Sequence, residues 1–389
     1  MQVALFETEY KSKPIVKITP AKTPTKGARE AVSRYSGIKN LLDSDKLTNG
    51  NWANVDTTKV SDQSTKFTFM DLFSGAGGIS VGVKQAGFQK VASVEIDKDA
   101  SNTIRNNFPE SVHFELPIEN LTESLLEEKL GTKKVNAIFG GPPCQGFSVA
   151  GLRNPDDPRN KLFQEYVRLV KHFKPEFIVL ENVPGILTME KGRVYKEILK
   201  KFEEIGYPNM SVRILEAASF GVPQLRTRAI FIANRLGVEN PYPQEIFDRK
   251  NYNTIESAID DLKAVPKDPK INHVWTQHSP EFEARIAQIP HGGSLYETFR
   301  DAFKRQYCGV PSMTVKENHG GCHVHYELNR VLSAREMARL QTFPDDFIFS
   351  GSHKRAYWQI GNAVPCLMAK HIGLAVKHSL ILNAIPQPD

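Results

Sequence analysis

Cysteine is scarce: the chain has four in 389 residues, Cys144, Cys308, Cys322 and Cys366, and none of their spacings is that of a disulfide framework. A stapled secreted scaffold is excluded, and a reducing, cytoplasmic setting is expected. No basic-then-apolar stretch opens the sequence, and no apolar run approaches the roughly 20 residues that span a bilayer, so no membrane partner is expected. Internal repeats are absent too, which argues against solenoids and propellers. Common zinc-ligand spacing is missing even where His319, Cys322, His323 and His325 cluster, so no metal is expected. Acid is nearly absent from one place, residues 10–34, where seven Lys/Arg face the single acid Glu30. That stretch is rich in Pro, Thr and Lys and reads as flexible. It is either an arm for nucleic-acid phosphates or a solvated tail.

Against these absences stands one concentrated signal. Residues 140–148 read Gly-Gly-Pro-Pro-Cys-Gln-Gly-Phe-Ser, directly after the apolar run 135–139. Two glycines and two prolines force a turn with few alternatives, so Cys144 is displayed at a strand end rather than packed away. A thiolate there is a candidate nucleophile, with a helix opening at 146–148 to stabilise the anion. A buried structural cysteine is the commoner fate of a lone thiol. The Pro-Pro-Cys-Gln setting argues against it.

The chain around this loop alternates. Strands are expected over 67–73, 90–96, 135–139, 177–180, 212–215 and 229–233. Helices are expected over 79–86, 162–173 and 194–205, then 333–341 (capping box Ser333/Glu336) and 365–380. A short helix is conceivable within 37–46. Such alternation predicts an α/β fold, a doubly wound, mostly parallel sheet with helices on both faces and ligands at the carboxyl ends of the strands. The pattern breaks over 236–330, which carries 11 Lys/Arg against 13 Asp/Glu. The expected organisation is an N-terminal extension (1–66), the first part of an α/β domain (67–235), a small domain or insertion (236–330) and a return to the α/β domain (331–389).

Three further groups sit at strand ends. The loop Phe73-Ser-Gly-Ala-Gly-Gly links a strand to a helix and is expected to offer free backbone N–H groups to a ligand. Glu95, at the next strand end, suits a pair of ribose hydroxyls, and together they suggest an adenosine-containing ligand. Glu181 follows four apolar strand residues; a desolvated carboxyl there can keep a proton, although a capping or salt-bridged Glu is the blander reading. Gln224, Arg226 and Arg228 alternate before and into the strand 229–233. One shared face would suit a base edge or phosphate, or simply make a charged edge strand.

With these residues in view the chain resembles the cytosine-5 DNA methyltransferases. The blocks are Asp71-Leu-Phe-Ser-Gly-Ala-Gly-Gly, Gly141-Pro-Pro-Cys-Gln-Gly-Phe-Ser, Glu181-Asn-Val, Gln224-Leu-Arg-Thr-Arg, Arg335-Glu-Met-Ala-Arg-Leu-Gln-Thr-Phe-Pro and Gln359-Ile-Gly-Asn-Ala-Val-Pro. They occur in the family's order and cover about residues 67–380. The resemblance implies the S-adenosylmethionine-dependent methyltransferase fold, with 236–330 as a smaller, irregular target-recognition domain. It implies S-adenosyl-L-methionine as methyl donor, held by Phe73, Gly75, Gly77, Glu95, Ile96, Pro142, Leu162 and Asn362. It implies Cys144 as nucleophile toward C6 of a flipped-out cytosine in duplex DNA, Glu181 as its acid partner, and Arg228, Arg226 and Gln224 orienting the base. The bacterial form implies a monomer in the cytoplasm or nucleoid, with a cognate restriction endonuclease as companion. One departure is that Pro117 stands where an adenine-binding acid is usual, which leaves Glu115, Glu119 or backbone for that contact. The alternatives are a tRNA cytosine-5 methyltransferase, whose Cys-Phe-Thr block is absent here, and an inactive DNA-binding homologue.

Overall fold

The computed structural model describes residues 28, 30, 51–60, 67–143, 158–298, 302–317 and 323–384. Cys144, most of the basic stretch 10–34, the expected helix within 37–46, His319 and Cys322 lie outside the described residues.

In chain order the elements begin with β1 (Trp52–Val55), β2 (Thr68–Leu72), α1 (Gly78–Gln85), β3 (Gln89–Glu95), α2 (Lys98–Asn107) and β4 (Val112–Glu115). There follow α3 (Glu123–Leu130), β5 (Ala137–Gly140), α4 (Pro158–Phe173), β6 (Phe177–Asn182), α5 (Arg193–Glu204), β7 (Ser211–Glu216) and β8 (Thr227–Asn234). Then come β9 (Asn240–Pro243), α6 (Ile255–Ile259), α7 (Pro280–Ala287), β10 (Lys304–Arg305), β11 (His323–Val324), α8 (Ala334–Leu340), α9 (His353–Asn362) and α10 (Cys366–Ala384).

Seven strands form one sheet in the order β4-β3-β2-β5-β6-β8-β7. It is parallel except for β8, which runs against both β6 and β7. The short connection from β7, turned by Gly221 at φ +85°, can join only antiparallel neighbours. The expected mostly parallel, doubly wound sheet is what the chain builds. The central runs Ala137–Phe139 of β5 and Phe177–Leu180 of β6 are continuously apolar because both faces are covered. Ile138, Ile178 and Leu180 face a core with Tyr166 and Val170 of α4 and Ile198 and Phe202 of α5. Phe139, Phe177 and Val179 face the opposite core with Val83 of α1 and Met368 and Ile372 of α10. Burying such side chains contributes about 1.5–3 kcal/mol each. The α8 capping box forms as expected between Ser333 and Glu336.

Two joins were not legible in the sequence. Residues 52–55, within the stretch read as an extension, pair in parallel as β1 with β9. Arg213 of β7 lies 3.8 Å from the centre of the Trp52 ring, and Thr57 bonds His371 of α10 at 2.8 Å. The start of the irregular region packs onto the rest: Tyr242 of β9 enters the second core, and Ile255 and Ile259 join a third core with Met337 of α8 and Ile360 of α9.

The irregular region also buries histidines. His325 is fully buried; its Nδ1 accepts from the Glu327 and Leu328 N–H groups at 3.0 and 3.1 Å, and Arg330 and Glu336 form a buried ion pair beside it. Burial pushes this imidazole down from 6.5 to about 4. The unfolded chain therefore takes up a proton that the folded chain refuses. The stability His325 contributes is complete above pH 6.5 and drains away as pH falls toward 4. Thermal melts across that window should record a loss on the order of 1–3 kcal/mol from this side chain. His325→Gln should flatten the slope; an unchanged pH profile in that variant would refute the assignment.

Candidate active site

Parallel register sets the site. Leu72 pairs with Gly140 and Gly140 with Leu180, so the loops after β2, β5 and β6 leave the sheet side by side. The chain departs in opposite directions from β2 and β5, and ligands gather where strand order reverses in such sheets. Because β8 is antiparallel, with Asn182 opposite Ala229, its first residues reach the same edge.

At the donor end, Phe73 adopts φ +58° and Gly75 φ +51°, the left-handed turn that lets the loop fold back. A side chain at Gly75 would meet nothing within 4 Å, whereas one at Gly77 would meet Ile104 at 2.6 Å and one at Gly78 the Val364 carbonyl at 2.2 Å. Gly75 thus borders open space, while Gly77 and Gly78 are small because α2 and the link between α9 and α10 press against them. The expected free N–H groups are largely spent. Ser74 N–H donates to the Val94 carbonyl, Gly77 N–H to the Ser74 carbonyl, and Gly75 N–H to Glu95 Oε2 at 2.8 Å. The correction has a plain cause: a carboxylate beside the turn and the turn's own carbonyl claim the donors first. Asp71 is buried beneath the loop, where it accepts from Ser80 Oγ at 2.6 Å.

Glu95 also accepts from Ile96 and Asp97 N–H at 2.9 and 2.8 Å. Burial pushes its carboxyl up, and these backbone donors pull against that. Ile96, beside it, is 65 % exposed, the largest value among the well-exposed large apolar side chains described. Leu162 and Phe73 both pack against the first core. Glu115 is paired with Arg105 at 2.6 Å, and Glu119 is exposed beyond Pro117. Arg355 of α9 reaches over to Asp97 and Asp99, a tie that nothing in the sequence announced.

At the other end lies a cavity of about 430 Å³, lined by Gly141–Pro143, Glu181–Val183, Arg226, Arg228, Thr314–Glu317, Gly361 and Asn362. Glu181 Oε1 and Arg228 Nε form an ion pair at 2.5 Å, and the second Glu181 oxygen lies 3.0 Å from where a Gly141 side chain would begin. Asn182 Nδ2 donates to the Pro142 carbonyl at 2.9 Å and pins the loop to β6. Cys144 is the next residue in the chain after Pro143, which lines the cavity. Pro142 and Asn362 line this cavity.

The strand begins at Thr227, so Gln224 and Arg226 precede it; Arg226 and Arg228 both line the cavity, and Gln224 is not among its lining residues. Gln224 is fully buried, donating to the Leu340 carbonyl and to Gln341 Oε1 while accepting from Val315 N–H. Arg226, also buried, donates to the Val315 and Gly361 carbonyls at 2.9 and 3.0 Å. Only Arg228 meets Glu181. The wall Thr314–Glu317 went unnoticed in the sequence, because it carries no periodicity and no chemistry-bearing pattern.

Among the described residues no helix is long and apolar enough to cross a membrane. His323 and His325 are held by hydrogen bonds to Gln306 and to backbone.

A Rossmann-like methyltransferase sheet, with a glycine loop and strand-end acid beside an acid–arginine cavity, is the class these features define. The family model for C-5 cytosine-specific DNA methylase matches residues 67–378. Type II methyltransferase M1.HphI of Haemophilus parahaemolyticus is 40% identical over 324 residues, 79% of this chain and 86% of its own. Type II methyltransferase M.DdeI of Desulfomicrobium norvegicum is 36% identical over 362 residues, 77% of this chain and 86% of its own. A solved prophage-encoded DNA modification methyltransferase of E. coli superposes with a TM-score of 0.68 at 27% identity, covering 82% of this chain and all of its own. The chain belongs to the C-5 cytosine-specific DNA methylases and is a DNA cytosine-5 methyltransferase.

Proposed function

We propose that this enzyme methylates C5 of a cytosine flipped out of a specific duplex sequence, through a covalent bond between Cys144 and C6. The observation that carries the reading is the Glu181–Arg228 pair set against Gly141–Pro143, one residue from the thiol, in a cavity within the size range of small-ligand sites. Addition at C6 and methyl transfer to C5 both come from the faces of the ring, which neighbouring bases cover in the stacked duplex, so the base must leave the helix.

S-adenosyl-L-methionine suits the other end: open space at Gly75, the exposed Ile96 as an apolar surface for adenine, and Glu95 at the strand end for ribose. Phe73 and Leu162, which pack against the first core, and Pro142 and Asn362, which line the acid–arginine cavity, would complete the donor's contacts. Bound there, the donor supplies an electrophilic methyl group to C5. Cys144 thiolate adds to C6 and pushes electron density onto C5, which a neutral cytosine lacks. Glu181 shares a proton with N3 as C6 is attacked and so offsets the charge that addition creates; Arg228 holds the Glu181 side chain in place and neutralises the site. Once C5 is substituted, its proton leaves to water, the thiolate is expelled and the N3 proton returns to Glu181, which restores the ring.

The relatives are named as type II methyltransferases, and this reading makes the present enzyme a monomeric, cytoplasmic companion to a restriction endonuclease cutting the same sequence. The basic stretch 10–34 is its phosphate arm. Ala28, within that stretch, packs with Leu225 and Val310, next to Arg226 of the cavity wall. Deleting residues 1–26 should weaken DNA binding and lower the slope of log affinity against log salt by several charges. An unchanged slope would mark the stretch as a solvated tail. Labelled methyl donor offered with duplex DNA or with tRNA tests the substrate, and base-resolution mapping of DNA from expressing cells names the sequence. Label in tRNA alone would overturn the DNA reading.

A further inference from the structure

The cavity has a wall from an unexpected source. Residues 312–317 belong to the irregular stretch after β9, yet Thr314, Val315, Lys316 and Glu317 line the space that Glu181 and Arg228 face. Two sets of bonds fix this strap, one from each side. From the catalytic side, Leu225 N–H donates to the Ser312 carbonyl at 2.9 Å and Thr314 Oγ1 to the Leu225 carbonyl at 2.6 Å. Gln224 accepts from Val315 N–H at 2.8 Å, and Arg226 donates to the Val315 carbonyl at 2.9 Å. Arg226 simultaneously holds the Gly361 carbonyl, and a side chain at Gly361 would run into the backbone of Lys316 and Glu317 at 2.3 Å. From the other side, Gln306 accepts from Met313 N–H at 2.9 Å, and its amide lies 3.0 Å from His323 Nδ1. Gln306 follows β10 directly and His323 opens β11, the small parallel pair of the irregular region.

We propose that Gln224 and Arg226 are positioning residues that clamp this strap, and that through it the β10–β11 unit, as the DNA-reading part, sets the shape of the base cavity. The inference rests on the methyl-transfer reading of the cavity. Arg226, though it lines the cavity, then acts on the base through the strap. A displacement on the order of 1 Å at a reacting centre costs roughly a hundred-fold in rate, so a strap held from two sides can pass recognition into catalysis.

The test is a double-mutant cycle in the full chain with Arg226→Lys and Gln306→Ala, which share no direct bond among the described residues. Each should lower kcat about ten- to a hundred-fold with little change in KM for DNA. Each should also reduce the preference for the mapped sequence over one-base variants. The double mutant should be little worse than either single, because both release one strap. Gly361→Ala, which pushes the strap from a third side, should give the same signature. Amide hydrogen exchange over residues 312–317 supplies a readout independent of activity, and it should accelerate in all three variants. Additive losses, or unchanged exchange and sequence preference, would overturn the clamp. Accelerated exchange in a wild-type background that transfers no methyl to DNA would instead sink the function and leave the clamp standing.

Discussion

Cys144→Ala should abolish methyl transfer, lowering turnover on the order of 10⁴-fold or more, while duplex binding stays close to wild type. The thiolate adds to C6 in the proposed mechanism, and among the described residues no other thiol lines the cavity. Cys308 lies in the irregular region, and Cys366 is fully buried at the start of α10, where burial drives its thiol far up. Incorporation of labelled methyl groups reads turnover; a gel-shift assay reads binding. Wild-type enzyme should also leave a denaturation-resistant complex with DNA carrying a C5-blocked cytosine, and Cys144→Ala should not. Transfer retained by the alanine variant would end the covalent mechanism.

Glu181→Gln should cost 10² to 10⁴-fold, roughly the worth of a positioned general acid. Arg228→Ala should fall in the same range, since the 2.5 Å pair places the carboxylate and balances its charge. The pair acts as a unit, so the double variant should be far from the product of the two losses. Either variant retaining near-wild-type kcat would remove the pair from the chemistry. The contrast with Arg226→Lys is informative. The cavity residue two positions upstream holds backbone carbonyls and not the acid, so its loss should spread into sequence preference, which Arg228→Ala should leave alone.

Much of this was open to reading. Runs such as Phe177 to Leu180 are apolar without alternation because both faces of a parallel strand are covered, and a loop carrying Pro142 and Pro143 has few shapes. Turn chemistry and strand ends are local, so Cys144, Glu181 and Glu95 stand out from neighbours in the chain. The Ser333 and Glu336 cap was legible for the same reason.

What the sequence could not reveal is non-local. Gln224, Arg226 and Arg228 alternate as a strand face would, but the strand starts at Thr227, and the first two side chains are drawn inward by carbonyls of residues 315, 340 and 361. Gly77 and Gly78 look like ligand glycines, yet their size is set by Ile104 and by the Val364 carbonyl, far along the chain. The pairing of Trp52 to Val55 with β9 and the strap over the cavity follow the same rule. Local pattern determined the sheet, the strand-end placement of Glu95 and Glu181 and the class of reaction, since these depend on backbone restriction and burial of adjacent residues. Tertiary structure alone decided which arginine meets Glu181 and which residues close the cavity, because buried carbonyls without a partner must find donors wherever the fold brings them.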